Sequence, residues 1–452
     1  MRILIIGSGK VGYTLAESLS LEDHDVTVID NNSEALSAVA ERLDVMFVKG
    51  NGAALGTLKQ AGAEHADIVI ATARNDEVNM LCCIMAKKLG VKHAVARIRD
   101  PEYVRDIDLF KRQLDIDLVI NPERSTANEI LRLLRFPAAV EIDTLNRGQV
   151  ELIGFRVTPG DIVLGLTPAQ LRKKVKAPVI ICMVERGDEV HVPDGDFIIR
   201  EGDIVFAAGK FDDITRFFRA IRRTTQMAGN VMIIGGGRTT HYLANMATMI
   251  GIKSVIIERN EEHCARLAEN IPHATVIHGD GLEQELLDSE NIRGMDSFAA
   301  LTNMDEENLI ISLYANHCGV PKVVAKANHH NYAPLVKSLG IDSVISPRLI
   351  TASRIMHFVH GLSGSRGSAV KALYSLLGGR VEALEFVVGC GARHIGEKIK
   401  GMPLKQGVVI VSVSRGGEGI TPGGGDVFLE GDRVVIVTSR LGFNDLNDIF
   451  ER

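Results

Sequence analysis

Apolar residues run along the chain in two alternating rhythms. Short unbroken runs rich in Ile, Val and Leu occur at Arg2–Ile6, Val26–Ile29, Val45–Val48, Ile68–Thr72, Ala94–Ile98 and Leu118–Ile120. Between them, Tyr13–Leu19, Ser33–Glu41, Leu55–Ala61 and Glu77–Leu89 place apolar residues at helical spacing. Runs without polar alternation suit strands covered on both faces, the setting of a parallel sheet. Strand–helix alternation sustained over ~120 residues predicts a doubly wound, Rossmann-like α/β sheet. From about 150 to 209 the rhythm changes. Val150–Val157, Val179–Glu185 and Ile204–Ala207 read as strands separated by turns such as Thr158-Pro159-Gly160-Asp161 and Pro193-Asp194-Gly195-Asp196. This section predicts a small α+β domain with one helix near Pro168–Lys174.

The whole pattern is then written a second time. Gly7-Ser8-Gly9 returns 228 positions on as Gly235-Gly236-Gly237, and Asp30 returns as Glu258. Gly50-Asn51-Gly52 returns as Gly279-Asp280-Gly281, Asp76-Glu77-Val78-Asn79 as Asp305-Glu306-Glu307-Asn308, and Arg97 as Lys326, all 229 positions on. Asn121-Pro122 is echoed by Ser346-Pro347, and Glu201-Gly202-Asp203 by Glu430-Gly431-Asp432. So many matches in one register predict a duplicated α/β architecture: two Rossmann-like doubly wound parallel sheets, each followed by a small α+β domain. The expected division is 1–125, 140–225, 230–350 and 368–452, the second small domain following the first in design. Joints are expected near Phe136-Pro137, Gln226–Asn230 and Gly361–Gly367. Arg124–Leu134, carrying Ile130, Leu131, Leu133 and Leu134, leaves two readings open: core packing, or packing across another copy of the chain.

Composition narrows the classes. At 452 residues, 46% hydrophobic and 24% charged, the chain is an ordinary globular one of about three domains' length. A net charge of −6 without basic runs argues against nucleic acid or a polybasic membrane anchor as partner. No apolar stretch reaches the ~18–20 residues that span a bilayer, and four apolar residues after Met1-Arg2 are too few for a secretory signal. A cytoplasmic location is expected. The six cysteines lack zinc or redox spacing and read as buried reduced thiols, with Cys82-Cys83 in a helical stretch as core residues.

Gly7-Ser8-Gly9-Lys10-Val11-Gly12 fits G-x-G-x-x-G in its telling context, after a strand, opening a helix, with Asp30 ending the next strand. Gly7 suits the tight turn, Gly9 the approach of a pyrophosphate, and Gly12 close helix–strand packing. Amides at the helix start then face the phosphates. Asp30 suits a ribose diol and would repel a 2′-phosphate, so NAD(H) is favoured over NADP(H), with ATP or ADP offering the same ribose. Asn51 is positioned to orient the adenosine. Ala73 and Arg74 follow the fourth strand and can line the pyrophosphate or second nucleoside, and Arg97 adds positive charge.

In the second copy Gly235, Gly236, Gly237, Arg238 and Thr239 keep the loop, but Thr240 replaces the third glycine. A side chain there should push the helix away from the strand. Glu258 keeps the ribose acceptor, Asp280 matches Asn51, and Lys326 replaces Arg97. Nucleotide binding is expected here too, with altered selectivity. His329-His330 reads as a solvated pair. Asp76-Glu77 reads equally as a charged helix start or a cation ligand.

Two nucleotide folds without a proton-transfer group suggest regulation. No tyrosine begins a Tyr-x-x-x-Lys spacing, and His191 and His394 do not align between copies. An NAD-dependent oxidoreductase with an unrecognised catalytic group is the alternative. Carried by Gly7–Gly12 with Asp30, the Asp76–Asn79 helix start, Asn121-Pro122-Glu123, the duplication and both Glu-Gly-Asp turns, the chain resembles, over nearly its full length, a known family. That family comprises the peripheral nucleotide-binding subunits of bacterial Trk potassium uptake systems, built from two tandem RCK (regulator of potassium conductance) units. The resemblance implies a non-enzymatic gating subunit that binds NAD(H) and in some members ATP or ADP. It also implies a homo-oligomer, dimer or tetramer, on the cytoplasmic face of an integral potassium-translocating partner. It carries nucleotide contacts to Gly7–Val11, Asp30, Ala73, Arg74, Arg97, Gly235–Thr239 and Glu258. Asn51 stands where that family often has an acidic residue.

Overall fold

The structure, a computed structural model, describes residues 1–451 apart from 23, 35, 37–41, 188, 224, 225, 329–339, 342, 364–369, 378, 379 and 441. Among the described residues the chain forms two six-stranded and two five-stranded sheets. The first large sheet contains β1 (Arg2–Ile6), β2 (Asp25–Asp30), β3 (Met46–Lys49), β4 (Ile68–Ala71), β5 (His93–Arg97) and β6 (Leu118–Ile120). All its pairs are parallel, in the order β3-β2-β1-β4-β5-β6, so the strand order reverses beside β1. Helices α1 (Lys10–Leu21), α2 (Leu55–Gln60), α3 (Asp76–Lys88), α4 (Pro101–Arg105) and α5 (Ile107–Gln113) lie between the strands. The continuous aliphatic runs are explained by burial: every residue of Ile68–Ala71, and all of β1 but Arg2, is removed from solvent.

Helix α6 (Pro122–Arg135) leaves β6 for the first small sheet. Its start is set by Asn121, whose side chain accepts from Arg124 N, and by Pro122 in the first turn, where a missing N–H costs nothing. The small sheet is antiparallel, with β7 (Glu141–Leu145), β8 (Val150–Arg156), β9 (Ile180–Arg186), β10 (Glu189–His191) and β11 (Ile204–Gly209) in the order β10-β9-β11-β8-β7. Helices α7 (Pro168–Val175) and α8 (Phe211–Ala220) cover it.

The second half repeats the plan. Strands β12 (Asn230–Ile234), β13 (Lys253–Glu258), β14 (Thr275–His278), β15 (Ser297–Ala300), β16 (Lys322–Lys326) and β17 (Ser343–Ile345) take the same order, with α9 (Arg238–Met249), α10 (Glu261–Asn270), α11 (Gln284–Ser289) and α12 (Asp305–His317). Helix α13 (Pro347–Ser363) leads to β18 (Val370–Leu376), β19 (Val381–Val387), β20 (Val408–Arg415), β21 (Glu418–Ile420) and β22 (Arg433–Thr438).

The two halves exchange helices. Ala127, Ile130, Leu133 and Leu134 of α6 pack in one core with Val231, Ile233, Leu243 and Ala244 of the second large sheet and α9. Conversely, Ala352, Ile355, Met356 and Val359 of α13 join Ile3, Ile5, Leu15 and Leu19 of the first. A buried Val, Leu, Ile or Met side chain contributes about 1.5–3 kcal/mol, so the six larger of these helix residues bind the halves firmly. The small sheets also meet face to face, with Leu152, Met183 and Phe206 against Ala383, Val411, Val435 and Val437. Of the two readings for Arg124–Leu134, core packing within the chain is therefore the one realised.

Several expectations need correction. The first small domain has a second helix, α8, whose Ile214, Phe217 and Phe218 are buried against Phe155. The second small domain does not follow suit. The counterpart of α7 is a single 3₁₀ turn at Ile399–Gly401, where Gly401 and Pro403 deny a longer helix. The third joint starts later than expected, because α13 runs through Gly361 to Ser363. The predicted helix at Ser33–Glu41 falls largely outside the described residues. The cysteines are also less uniform than expected. Cys82, Cys83, Cys182 and Cys318 are buried, but Cys264 is half-buried and Cys390 exposed. Among the described residues no helix is long and apolar enough to cross a membrane.

Candidate functional site

Gly7 sits at φ +100°, and a Cβ there would lie 2.8 Å from Ala73 N, so the bend after β1 requires glycine. At Gly12 a Cβ would fall 1.8 Å from the Gly7 carbonyl oxygen, which pins α1 against the bend. Beside Gly9 nothing lies within 4 Å of the same virtual atom. The middle glycine faces open space, as a cradle for a bulky anion requires. Lys10 and Val11 open α1, and the amides of this first turn have no partner inside the helix, leaving a site for negative charge.

The acid at the end of β2 holds this loop. Asp30 accepts from Ser8 N at 2.6 Å and Ser8 Oγ at 2.8 Å through one oxygen, and from Asn32 N at 2.9 Å through the other. Burial works against its charge, but these hydrogen bonds outweigh it and hold the carboxyl below its usual range. With about four acceptor positions on a carboxylate and three of them taken, about one lone pair remains for a further donor. Glu258 does the same in the second copy, accepting from Gly236 N and, at 2.7 Å, from Asn260 N.

Asn51 and Asp280 turn inward instead. Each accepts at 3.0 Å from the amide two residues on, Ala53 N and Leu282 N, and so clasps its own loop. The Ala73 carbonyl accepts from Asn79 Nδ2 and from the Arg97 guanidinium. Arg74 is exposed, and its carbonyl accepts from Arg99 at 2.9 Å. Arg97 and Lys326 end equivalent strands, and Lys326 Nζ donates to Leu301 O at 3.1 Å. Burial lowers the pKa of both cations; the neighbouring Arg99 charge lowers Arg97 further, and smaller contributions come from Arg238 on Arg97 and from Lys10 on Lys326. The cation that opens each glycine-loop helix thus acts on the strand-end cation of the other half, and Tyr242 of α9 bonds Arg99 O and Asn121 of the first half. Sequence reading treated the two loops separately and missed this proximity.

Between the pockets lies a group of charges that spacing alone did not reveal. Arg99 approaches Glu123 at 3.6 Å and Asp76 at 3.8 Å. Arg97 Nε, Arg99 Nε, Asp76 Oδ1 and Glu123 Oε2 are buried with no hydrogen-bond partner. Orphaned buried polar atoms are rare and costly, and here they border the two cradles. Asp76 is a clasp as well as a helix start: its other oxygen accepts from Arg99 N and Asp100 N at 2.7 and 2.8 Å. Asp305 does likewise for Asn328 N at 2.7 Å. The repetition of Asp76 as Asp305 was the available signal. Tyr242 of α9 completes the seam, accepting from Asn121 Nδ2 at 3.0 Å and donating to Arg99 O at 3.2 Å.

The missing third glycine in the second copy is compensated. In the first copy Thr72, on the strand side, donates to Gly7 O at 3.2 Å. The second copy has Leu301 in that place, and buried Thr240 donates to Gly235 O from the helix side. A side chain stands where the first copy has no room for one, so α9 starts farther from its bend. Thr239 is buried beside it, and Gly237, like Gly9, faces open space. Cys82 and Cys83 are core thiols, and burial pushes Cys82 up to about 12. His329 and His330 lie outside the described residues.

Comparison with known proteins agrees with the duplicated architecture. The TrkA-N domain matches residues 3–122 and 231–347, and the TrkA-C domain matches 152–222 and 383–451. The Trk system potassium uptake protein TrkA homolog 1 of Methanosarcina mazei is 32% identical over 459 residues, covering 100% of both chains. TrkA of Halomonas elongata is 32% identical, covering 100% of this chain and 99% of its own. TrkA of Haemophilus influenzae is 31% identical, with 97% and 96% covered. Among solved structures the GsuK channel superposes with a TM-score of 0.65 at 18% identity, covering 97% of this chain and 76% of its own, a likeness of fold. With both domains present twice and relatives matched from end to end, the chain belongs to the TrkA family of Trk system potassium uptake proteins.

Proposed function

We propose that this chain is the nucleotide-binding regulatory subunit of a Trk-type potassium uptake system and that it works without catalysis. It would act as a homo-oligomer, dimer or tetramer, on the cytoplasmic face of an integral potassium-translocating partner. The observation that carries this reading is the pair of glycine loops on halves that have exchanged helices. A ligand that fits both cradles in one domain arrangement better than in another shifts the population by its differential affinity, about 1.4 kcal/mol per tenfold.

The residues that would hold the nucleotide are Gly7–Gly12, Asp30, Ala73, Arg74 and Arg97 in the first pocket. Gly235–Thr239, Glu258 and Lys326 would hold it in the second. Asn51 and Asp280 would shape the pockets through their loops. Asp30 and Glu258 favour an unphosphorylated ribose, and hence NAD(H), with ATP or ADP at one or both sites. GsuK, the fold neighbour, is known bound to NAD and, in a separate crystal structure, to ADP. The four-part division at 1–125, 140–225, 230–350 and 368–452 belongs to the same proposal.

The test is calorimetric titration of the purified chain with NADH, ADP and ATP, alongside Asp30→Ala and Glu258→Ala. Each variant should lose one binding event. If neither weakens binding, the site assignment fails. Steady NADH consumption with carbonyl substrates would favour the oxidoreductase reading instead.

A further inference from the structure

The link between α6 and β7 is held from two sides. On one side Val140 N donates to Gly154 O of β8, in the first small domain, at 2.7 Å, while Ala139 N turns back to Phe136 O at the end of α6. The link's carbonyls belong to the second large domain. Lys322 Nζ, at the first residue of β16, donates to Ala139 O and, at 2.7 Å, to Ser343 Oγ at the start of β17. Ser343 Oγ in turn donates to Val140 O at 3.0 Å. Lys322 is 5% exposed and Ser343 3%, so these bonds are made away from water. A buried ammonium gives such contacts more weight than a neutral donor would.

The other end of β16 is Lys326, in the second pocket. Its carbonyl accepts from Asn308 Nδ2 at 2.9 Å, and Asn308 also fixes Thr302, beside the Gly235 bend. Five residues of central strand, about 13 Å at ~3.3 Å per residue, thus join a nucleotide cradle to the root of a small domain from the other half. Among the described residues the first half shows no such pair of donors. Its counterpart of Lys322 is His93, which faces Asp117 at 3.3 Å, and its counterpart of Ser343 is Leu118.

We infer that Lys322, with Ser343, is a positioning residue that makes the first small domain respond to occupancy of the second nucleotide pocket. The inference rests on the proposed nucleotide binding and adds a direction to it: the signal runs from the second cradle to residues 138–145. A coupling free energy between two sites requires that both bias one shared element, and the clamped strand is that element.

The experiment is amide hydrogen exchange on the full-length protein, with and without saturating NADH, paired with calorimetry. Wild type should show a nucleotide-dependent change in exchange at 138–145, and Glu258→Ala should abolish it. In Lys322→Met and Ser343→Ala the change should fall at least threefold while NADH affinity stays within twofold. Ser343→Ala removes one hydroxyl and keeps the test valid if Lys322→Met unfolds. A full response at 138–145 in both clamp variants overturns the inference, as does one that survives Glu258→Ala. Absence of any NADH binding heat in wild type would instead overturn the nucleotide reading beneath it.

Discussion

Gly12→Ala tests the first cradle most directly. The added Cβ would start 1.8 Å from Gly7 O and 3.1 Å from Thr72 Oγ1. Non-bonded carbon and oxygen do not approach within 3.0 Å, so the gap must widen by about 1.2 Å. Gly7 cannot retreat, because a shift toward β4 meets the Ala73 backbone. The first turn of α1 must therefore rise from the sheet, at a cost of about 1–3 kcal/mol for overpacking. The same movement carries the cradle amides off the phosphates. Losing one hydrogen bond to a charged group costs about 1.5–3 kcal/mol, or roughly 10- to 100-fold in affinity. The assay is NADH calorimetry in a Glu258→Ala background, which silences the second pocket, with a thermal melt of the same samples. Adding Thr72→Leu to Gly12→Thr would graft the second copy's arrangement, and should recover melting temperature. Affinity within twofold and a melting point within one degree of the Glu258→Ala parent would refute the close-packing argument.

Glu129 is pushed up to about 8 by burial and by the Asp143 charge, with Arg132 at 3.6 Å opposing. The folded chain then keeps a proton that the unfolded chain releases near 4.5, so stability falls as pH rises from about 4.5 to 8. Melts across that range should show Glu129→Gln flattening the decline and melting higher at pH 8. Asp203, 1% exposed, pairs with Arg186 Nε and NH2 at 2.8 Å, and Asp432 repeats this with Arg415. Asp203→Asn takes the negative charge out of its hydrogen bonds to the part-exposed Arg186 guanidinium and should cost about 1.5–3 kcal/mol in denaturant unfolding, the loss centred on the first small domain. Tyr242→Phe should remove about 1 kcal/mol from the seam and raise exchange at Arg99–Asn121, without altering the small domains.

The first loop was readable because its chemistry is local. Gly7 answers to a left-handed backbone and Gly12 to the carbonyl five residues before it, Gly9 leaves the mouth of the loop open, and Asp30 ends the neighbouring strand. Asn51 was read from its place after the third strand, and the structure adds that its Oδ1 holds its own loop. Helix α8 was legible in the spacing of Phe211, Ile214, Phe217 and Phe218 and was passed over for the turn signals before it. Glu123, Arg99 and Lys322 carried no sequence signal of their own, because their partners lie on other strands or in the other half.

Period, glycine placement and repetition thus determined, from sequence alone, two doubly wound parallel sheets, a small domain after each, and two glycine loops. Those features depend on φ preferences and on the burial of apolar runs, which a chain segment specifies by itself. The exchange of α6 and α13, the seat of Tyr242 against Arg99 and Asn121, and the clamp on Ala139 and Val140 were decided only by the tertiary structure. An amphipathic helix states that it must be covered, but not by which sheet, and two equivalent sheets in one chain offer equal chemistry. The length of the connections and the fit of the two halves made that choice.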